Sequence, residues 1–389
     1  MPARRRAERC RVCRAGLPVQ ALLCYEDMPG AAQKFPSADE LTNDHGTPLA
    51  IHQCPHCGLV QIAGAPVPYY REVIRASAFS PEMRAFRQQQ FRQWVETHAL
   101  SGKAVLEIGC GRGEYLSLLA EAGVRAHGIE AAPAAVDACR AAGLSVARDF
   151  IERPRQRLQG APFDAFVTLN FMEHWPAPVS TLRGIHHNLA EGAVGLVEVP
   201  NFTMILERKL YSEFISDHLS YFTRETFAFA LHCAGFDVLN CRSVWHDYIL
   251  SAEVRRRRPL DLAPLAERRQ GIRDALHAFI DRFPPRSVAV WGAGHQALAT
   301  IALCGIGEKL NYVVDSAPFK QGRYTPASHL PIVAPEALTE TPPSAIIVMA
   351  AAYTDEVHRL IRARHGDRFP VALLRDDGLS GDLGETAQP

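Results

Sequence analysis

Three things are scarce in this 389-residue chain, and each scarcity narrows what it can be. There is no excess of charge: 42 Lys and Arg face 42 Asp and Glu, which implies no broad basic surface for nucleic acid or an anionic membrane. No apolar run approaches the roughly 20 residues of a membrane-spanning helix. The basic start, Met1–Cys10, is not followed by an apolar stretch, so a cytoplasmic protein without a signal peptide is expected. Glycine and proline, 27 of each, are too few for a low-complexity chain. What remains is globular in composition, with 47% hydrophobic and 22% charged residues. At about 150 residues per domain the length fits two or three domains.

Ten cysteines stand out against this background, and four of them form two C-x-x-C pairs, Cys10/Cys13 and Cys54/Cys57. Two such turns bring four thiolates to one tetrahedral ion and leave no open position, so one structural Zn²⁺ is expected. The forty-residue gap between the pairs is long for a simple ribbon, and His45, His52 or His56 could replace one thiol. Neither pair sits at a strand-to-helix junction, which argues against a redox motif.

Residues 1–68 read as loop-rich and 69–100 as helical, with Met83, Phe86, Phe91, Trp94 and Val95 at helical intervals. Strand and helix signals then alternate: strands at Ala104–Ile108, Arg125–Glu130, Phe163–Leu169 and Ala193–Val199, with helices between them. This pattern predicts a parallel, helix-covered sheet. Arg255–Arg258 reads as a solvated hinge, and a phosphate-contacting patch is the minor alternative. A second strand–glycine turn–helix unit opens at Ser287–Gly294, and Gly378–Pro389 reads as a frayed tail. The expected organisation is 1–68, 69–255, 256–377 and the tail 378–389.

The most informative motif is Val105-Leu-Glu-Ile-Gly-Cys-Gly-Arg-Gly113, a buried strand delivering a Gly-x-Gly-x-Gly turn into a helix. Glycine lets a ligand approach the backbone closely. With Glu107 before the turn, this is the loop that holds the aminoacyl end of S-adenosylmethionine in methyltransferases. Gly109, Gly111 and Gly113 are the expected contacts. Glu130 closes the next strand, where it can accept ribose hydroxyls. Asp149 and Phe150 follow the third strand as adenine contacts, and Asn170, with Glu173-His174, follows the fourth. In the second unit, Gly292-x-Gly294-x-x-Ala297 with Asp315 fits a dinucleotide fingerprint on local grounds.

Beyond these motifs the chain resembles the three-domain sugar C-methyltransferases acting on nucleotide-linked keto-deoxysugars. The resemblance rests on the C-x-x-C…C-x-x-C-G-L-V head, the E-I-G-C-G-x-G centre and Val199-Pro-Asn201. Asp217-His-Leu-Ser-Tyr-Phe222 and Val313-Val-Asp315…Lys320-Gln-Gly322 extend it to the rest of the chain. It implies an α/β protein: a class I Rossmann-like methyltransferase core flanked by an N-terminal zinc-binding domain and a second, C-terminal Rossmann-like domain walling the acceptor cleft. It also implies that His218 removes the proton beside the sugar ketone, with Asp217 standing where the family has Glu. On chemical grounds a carboxylate at Asp217 could support the imidazole, and Tyr221 could donate to the enolate or simply pack. The expected partner is a small nucleotide-sugar, the protein being a monomer or weak homo-oligomer. Ile215 and Ser216 replace the family's Tyr and His, and the departures fall on the acceptor side. O- or N-methylation of a related sugar or metabolite, and a zinc-containing scaffold with a silent donor site, remain the alternatives.

Overall fold

The computed structural model describes residues 8–33, 35–73 and 80–383. Parts of the basic start (1–7), of the expected helix (74–79) and of the expected tail (384–389) lie outside the described residues. The chain divides into two compact units, Met1–Pro259 and Leu260–Pro389. No helix of the described residues is long and apolar enough to cross a membrane.

The N-terminal block holds more regular structure than its composition suggests. Strands β1 (Leu23–Met28), β2 (Thr47–Gln53) and β3 (Val60–Ile62) form an antiparallel sheet. The β1–β2 hairpin fills the long gap between the two cysteine pairs. Helix α1 (Pro81–Thr97) is capped by Ser80, whose hydroxyl accepts the Met83 amide at 3.1 Å, and it starts on a proline that needs no donor there. The helix is therefore shorter than the 69–100 reading, because Ser80-Pro81 fixes its start.

Strands β4 (Ala104–Ile108), β5 (Arg125–Glu130), β6 (Val146–Arg148), β7 (Phe163–Leu169) and β8 (Leu189–Pro200) run parallel. They alternate with helices α2 (Glu114–Glu121), α3 (Pro133–Ala141) and α4 (Pro178–His187). After β8 come α5 (Phe202–Glu207), β9 (Ser220–Tyr221), α6 (Arg224–Cys233), β10 (Phe236–Val244) and β11 (Ile249–Arg256). The seven-stranded sheet has the order β10-β11-β8-β7-β4-β5-β6, with β10 and β11 antiparallel to their neighbours. The chain order reverses between β4 and β7, and the loops after these strands meet at that switch point. Strand β9 leaves this sheet and becomes the fourth strand of the N-terminal sheet, paired with β3.

Arg255 and Arg256 are part of β11, paired with Asp237 and Phe236, so the arginine run begins as strand rather than hinge. Arg257 continues the attachment through Asp237 Oδ1 at 2.7 Å. This carries the boundary between the units past the expected residue 255.

The second unit contains α7 (Ala263–Ile280), β12 (Val288–Trp291), α8 (His295–Cys304), β13 (Leu310–Val314), β14 (Ile332–Val333), α9 (Ala337–Glu340), β15 (Ala345–Val348), α10 (Thr354–His365), β16 (Val371–Arg375) and β17 (Gly378–Gly381). Its sheet has the order β14-β13-β12-β15-β16-β17, and only β17 is antiparallel. The expected tail thus begins as an edge strand, with Leu373↔Ser380 and Leu374↔Leu379 paired.

One buried ion pair ties α1 to the large sheet. Arg87 Nη1 lies 2.5 Å from Glu198 Oε2, and both side chains are inaccessible to solvent. Gln90 bridges them, accepting from Arg87 Nη1 at 2.7 Å and donating to Glu198 Oε1 at 2.6 Å. Removing one partner strands a charge in the core. Arg87→Ala is therefore expected to lose about 3–5 kcal/mol in urea unfolding, and an apolar replacement of both partners to recover much of it.

Candidate functional site

Strand β4 carries Glu107 into the core and opens into the glycine turn at the switch point. Gly109 has φ +70°, and a Cβ there would lie 2.6 Å from the Phe171 ring. Gly113, at φ +86°, would place a Cβ 2.3 Å from Leu144 Cδ1. Both positions need glycine for backbone conformation and for space. Gly111 donates its amide to Glu130 Oε2 at 2.9 Å, and Ala132 donates to Glu130 Oε1 at the same distance. Glu130 thus braces the turn as well as closing β5, a role the sequence reading missed.

Asp149 accepts from the Phe150 amide at 2.7 Å and from Gln156 Nε2 at 2.8 Å, all on one oxygen. The Phe150 ring meets Tyr70 and Phe171 edge-on at 5.7 and 6.2 Å. Asn170 sits at φ +49° and donates its amide to the Glu198 carbonyl. A narrow cleft is lined by Gly109, Glu130, Asp149, Phe150, Phe171 and Trp175, among others. The structure therefore brings four of the eight expected donor residues, Gly109, Glu130, Asp149 and Phe150, to one cleft and adds Phe171 and Trp175; Glu107, Gly111, Gly113 and Asn170 do not line it. These two flank Glu173-His174 in the sequence, and their aromatic character was the available signal.

The acceptor motif is arranged differently from the sequence expectation. The Asp217 carboxylate accepts from the Ala32 amide at 2.8 Å and from the Tyr69 hydroxyl at 3.1 Å. Its hydrogen bonds are thus made to the N-terminal block rather than to the His218 imidazole. The Asp217 backbone carbonyl lies 2.9 Å from His174 Nδ1. A carbonyl only accepts, so Nδ1 carries the proton and Nε2 the lone pair. The Tyr221 hydroxyl accepts the Ile215 amide at 3.0 Å and lies 3.4 Å from the Glu213 and Ile215 carbonyls. That engagement braces the 213–215 turn and fits the packing alternative for Tyr221.

The His174 and His218 rings meet edge-on at 4.8 Å, and Phe171 lies 6.2 Å from His174. Glu173 Oε1 stands 3.9 Å from His174 Nε2. Ligand-type atoms of Glu173, His174 and His218 all lie within 4.8 Å of one another. Burial holds His174 down at about 4, and burial with the neighbouring His174 holds His218 down at about 3. Burial pushes the Glu173 carboxyl up to about 8.

The cysteine pairs converge. All four Sγ atoms lie within 4.8 Å of one another, with Cys10–Cys57 and Cys13–Cys54 each at 3.5 Å. A tetrahedral zinc with 2.3 Å bonds has sulfur–sulfur edges of about 3.8 Å, so the thiols fit such an ion. The group consists of these four thiols, without His45, His52 or His56.

In the second unit, Asp315 accepts from the Ala293 amide and Lys320 Nζ on one oxygen, both at 2.8 Å, and from the Ala317 amide at 2.9 Å on the other. The acid that a dinucleotide fingerprint offers to a ribose is here bonded within the chain. Trp291 is buried in the core.

Residues 83–240 match the family described as a methyltransferase domain, and residues 255–372 match the C-methyltransferase C-terminal domain. The fold is the class I methyltransferase fold, and the chain is an S-adenosylmethionine-dependent methyltransferase. It is 24% identical to the C-methyltransferase NovU of Streptomyces niveus over 94% of this chain and 95% of that protein. A ubiquinone biosynthesis O-methyltransferase of Pseudomonas aeruginosa is 34% identical over 25% of this chain, and the match spans 45% of that enzyme. Solved structures with partial overlap include an S-adenosylmethionine-dependent methyltransferase from Clostridium acetobutylicum. It has a TM-score of 0.37 and 11% identity and covers 46% of this chain and 96% of its own. The plantazolicin methyltransferase BpumL with SAH overlaps with a TM-score of 0.37 at 12% identity, over 46% of this chain and 86% of its own.

Gly109→Val tests the donor turn. The variant is expected to keep its circular dichroism while losing at least about tenfold in S-adenosylmethionine affinity by calorimetry, since every 1.4 kcal/mol is tenfold.

Proposed function

We propose that the protein methylates a carbon beside the ketone of a nucleotide-linked deoxysugar, through an enolate generated by His218. The observation that carries this reading is one ring, Phe171, which packs on the glycine turn on one side and on His174 on the other. The donor turn and the His174/His218 pair thereby share one wall. Similarity to NovU over nearly the whole chain supports carbon as the methylated atom.

Carbon methylation needs a deprotonated carbon. His218 is held neutral by burial, so its ring is free to accept a proton. The substrate C–H bond breaks and an N–H bond forms at His218. Bound S-adenosylmethionine supplies an electrophilic methyl on a sulfonium, and the carbon gains it as the ketone is restored. Glu107, the turn Gly109–Gly113, Glu130, Asp149, Phe150 and Asn170 hold the donor in this reading. Cys10, Cys13, Cys54 and Cys57 hold one structural zinc, which fixes the turn before β3.

Two experiments decide these points. Solvent deuterium is expected to enter the carbon beside the ketone of a nucleotide-linked 4-keto-6-deoxyhexose without donor. His218→Ala should lower that rate by about 10²–10⁴-fold with donor affinity retained. Methylation of oxygen or nitrogen without exchange would establish the O- or N-methyltransferase alternative. For the metal, elemental analysis is expected to find one zinc per chain. Cys57→Ser should release it and lower the melting temperature by about 5–10 °C, because metal binding is folding free energy.

A further inference from the structure

Glu173 has no part in the mechanism above, yet it is a fully buried acid beside the imidazoles. Its residue is 1% exposed, and its Oε2 has no hydrogen-bond partner among the described residues. Its Oε1 faces His174 Nε2, the ring nitrogen that carries the lone pair. A buried carboxyl with an unspent oxygen is costly unless it is protonated or its charge is used.

His218 poses the complementary problem. A base whose proton affinity is depressed to about 3 pulls weakly on a carbon acid. The two oddities have one resolution. We propose that Glu173 is the proton sink for His218, so that the base is the Glu173–His174–His218 cluster rather than one imidazole. This rests on the enolate reading above.

The step balances within the cluster. The substrate C–H bond breaks and an N–H bond forms at His218. That N–H then breaks as an N–H forms at His174 Nε2, and this bond breaks in turn as an O–H bond forms on Glu173. The ionised carboxylate becomes the neutral acid, both imidazoles end neutral, and the single negative charge moves from Glu173 to the enolate. At the start and at the end of the transfer the pocket holds one negative charge. Loss of the Glu173 proton to solvent resets the cluster.

The other ionisable groups around Glu173 do not supply this function. Asp217 accepts from Ala32 and Tyr69 on Oδ1, which anchors that carboxylate to the N-terminal block, and it meets His174 through its backbone carbonyl. Burial raises the hydroxyls of Tyr221 and Tyr248 well above their ordinary range, and the Tyr248 hydroxyl donates to Glu213 Oε2. Protons bound by interacting groups belong to the cluster, so its apparent affinity follows its strongest member.

The test is the pH dependence of donor-free deuterium exchange into the same nucleotide-linked ketosugar. In the wild type the exchange rate should rise with pH through about 8, where burial places the Glu173 carboxyl. Glu173→Gln keeps the shape and removes the sink. Its rising limb should move at least about two units toward acid, and its plateau should fall about 100-fold, since the remaining base is weaker. Glu173→Asp should retain the alkaline limb at a reduced rate. A merely structural Glu173 would lower the plateau and leave the limb in place, which overturns the proposal. Infrared difference spectra of wild type against Glu173→Gln give a substrate-free readout: a protonated carboxyl at pH 6 that ionises near pH 8. A carboxyl already ionised at pH 6 overturns the sink. Exchange absent from the wild type at every pH would instead overturn the enolate reading, and the infrared result separates the two failures.

Discussion

Two backbone pairings, Val60 with Tyr221 and Gln61 with Ser220, decide where the acceptor motif stands. They attach β9 to the strand that follows the second cysteine turn, and Ile62 adds a hydrogen bond to the Leu219 carbonyl at 3.1 Å. His218 lies immediately before this strand, so its position is set from the N-terminal block as well as from the large sheet. On the opposite side, the Leu219 amide donates to the Glu173 carbonyl at 2.8 Å. The segment is clamped between the cysteine head and the turn after β7. Arg11, inside the first cysteine turn, reinforces the clamp by donating to the carbonyls of Ile62, Gly64 and Pro176. A side chain held from two independent elements keeps its direction without needing a partner for its own ring.

The same burial that fixes these residues sets their protonation. An apolar pocket disfavours charge of either sign, raising an acid and lowering a base. Glu173 is pushed past the range where imidazoles ordinarily titrate, while His174 and His218 are pushed below it. The reversal follows from the surroundings: Phe171, Met172 and Trp175 are all buried around this turn.

Much of the parallel architecture was legible because β4, β7, β12 and β15 are strongly apolar and bounded by glycine, proline or helix signals. The glycine turn was legible for the same reason, since Gly109 and Gly113 answer to local sterics. The N-terminal strands were not, because β1 has four exposed residues of six and offers no apolar alternation. Their pairing with β9 is a contact over some 160 residues that no local pattern announces. Asp217 stands beside His218 in the sequence, but its bonds to Ala32 and Tyr69 span about 150 residues and more and leave no local signal. The bond between the Ile215 amide and the Tyr221 hydroxyl was not legible, because nothing local shows that the amide needs it. Glu173 was visible as a letter, but its importance comes from burial.

The two glycine turns of the protein share one construction. In each, an acid at the end of the second strand accepts from the turn and from the residue two places further on: Glu130 from Gly111 and Ala132, Asp315 from Ala293 and Ala317. The difference is Lys320, which pairs with Asp315, while among the described residues no ion pair reaches Glu130. One lysine therefore gives a common scaffold two electrical polarities. The first turn presents an uncompensated negative charge that favours a cationic guest such as a sulfonium. In the second that charge is cancelled, and an anion approaching it meets only backbone amides and a neutralised pair.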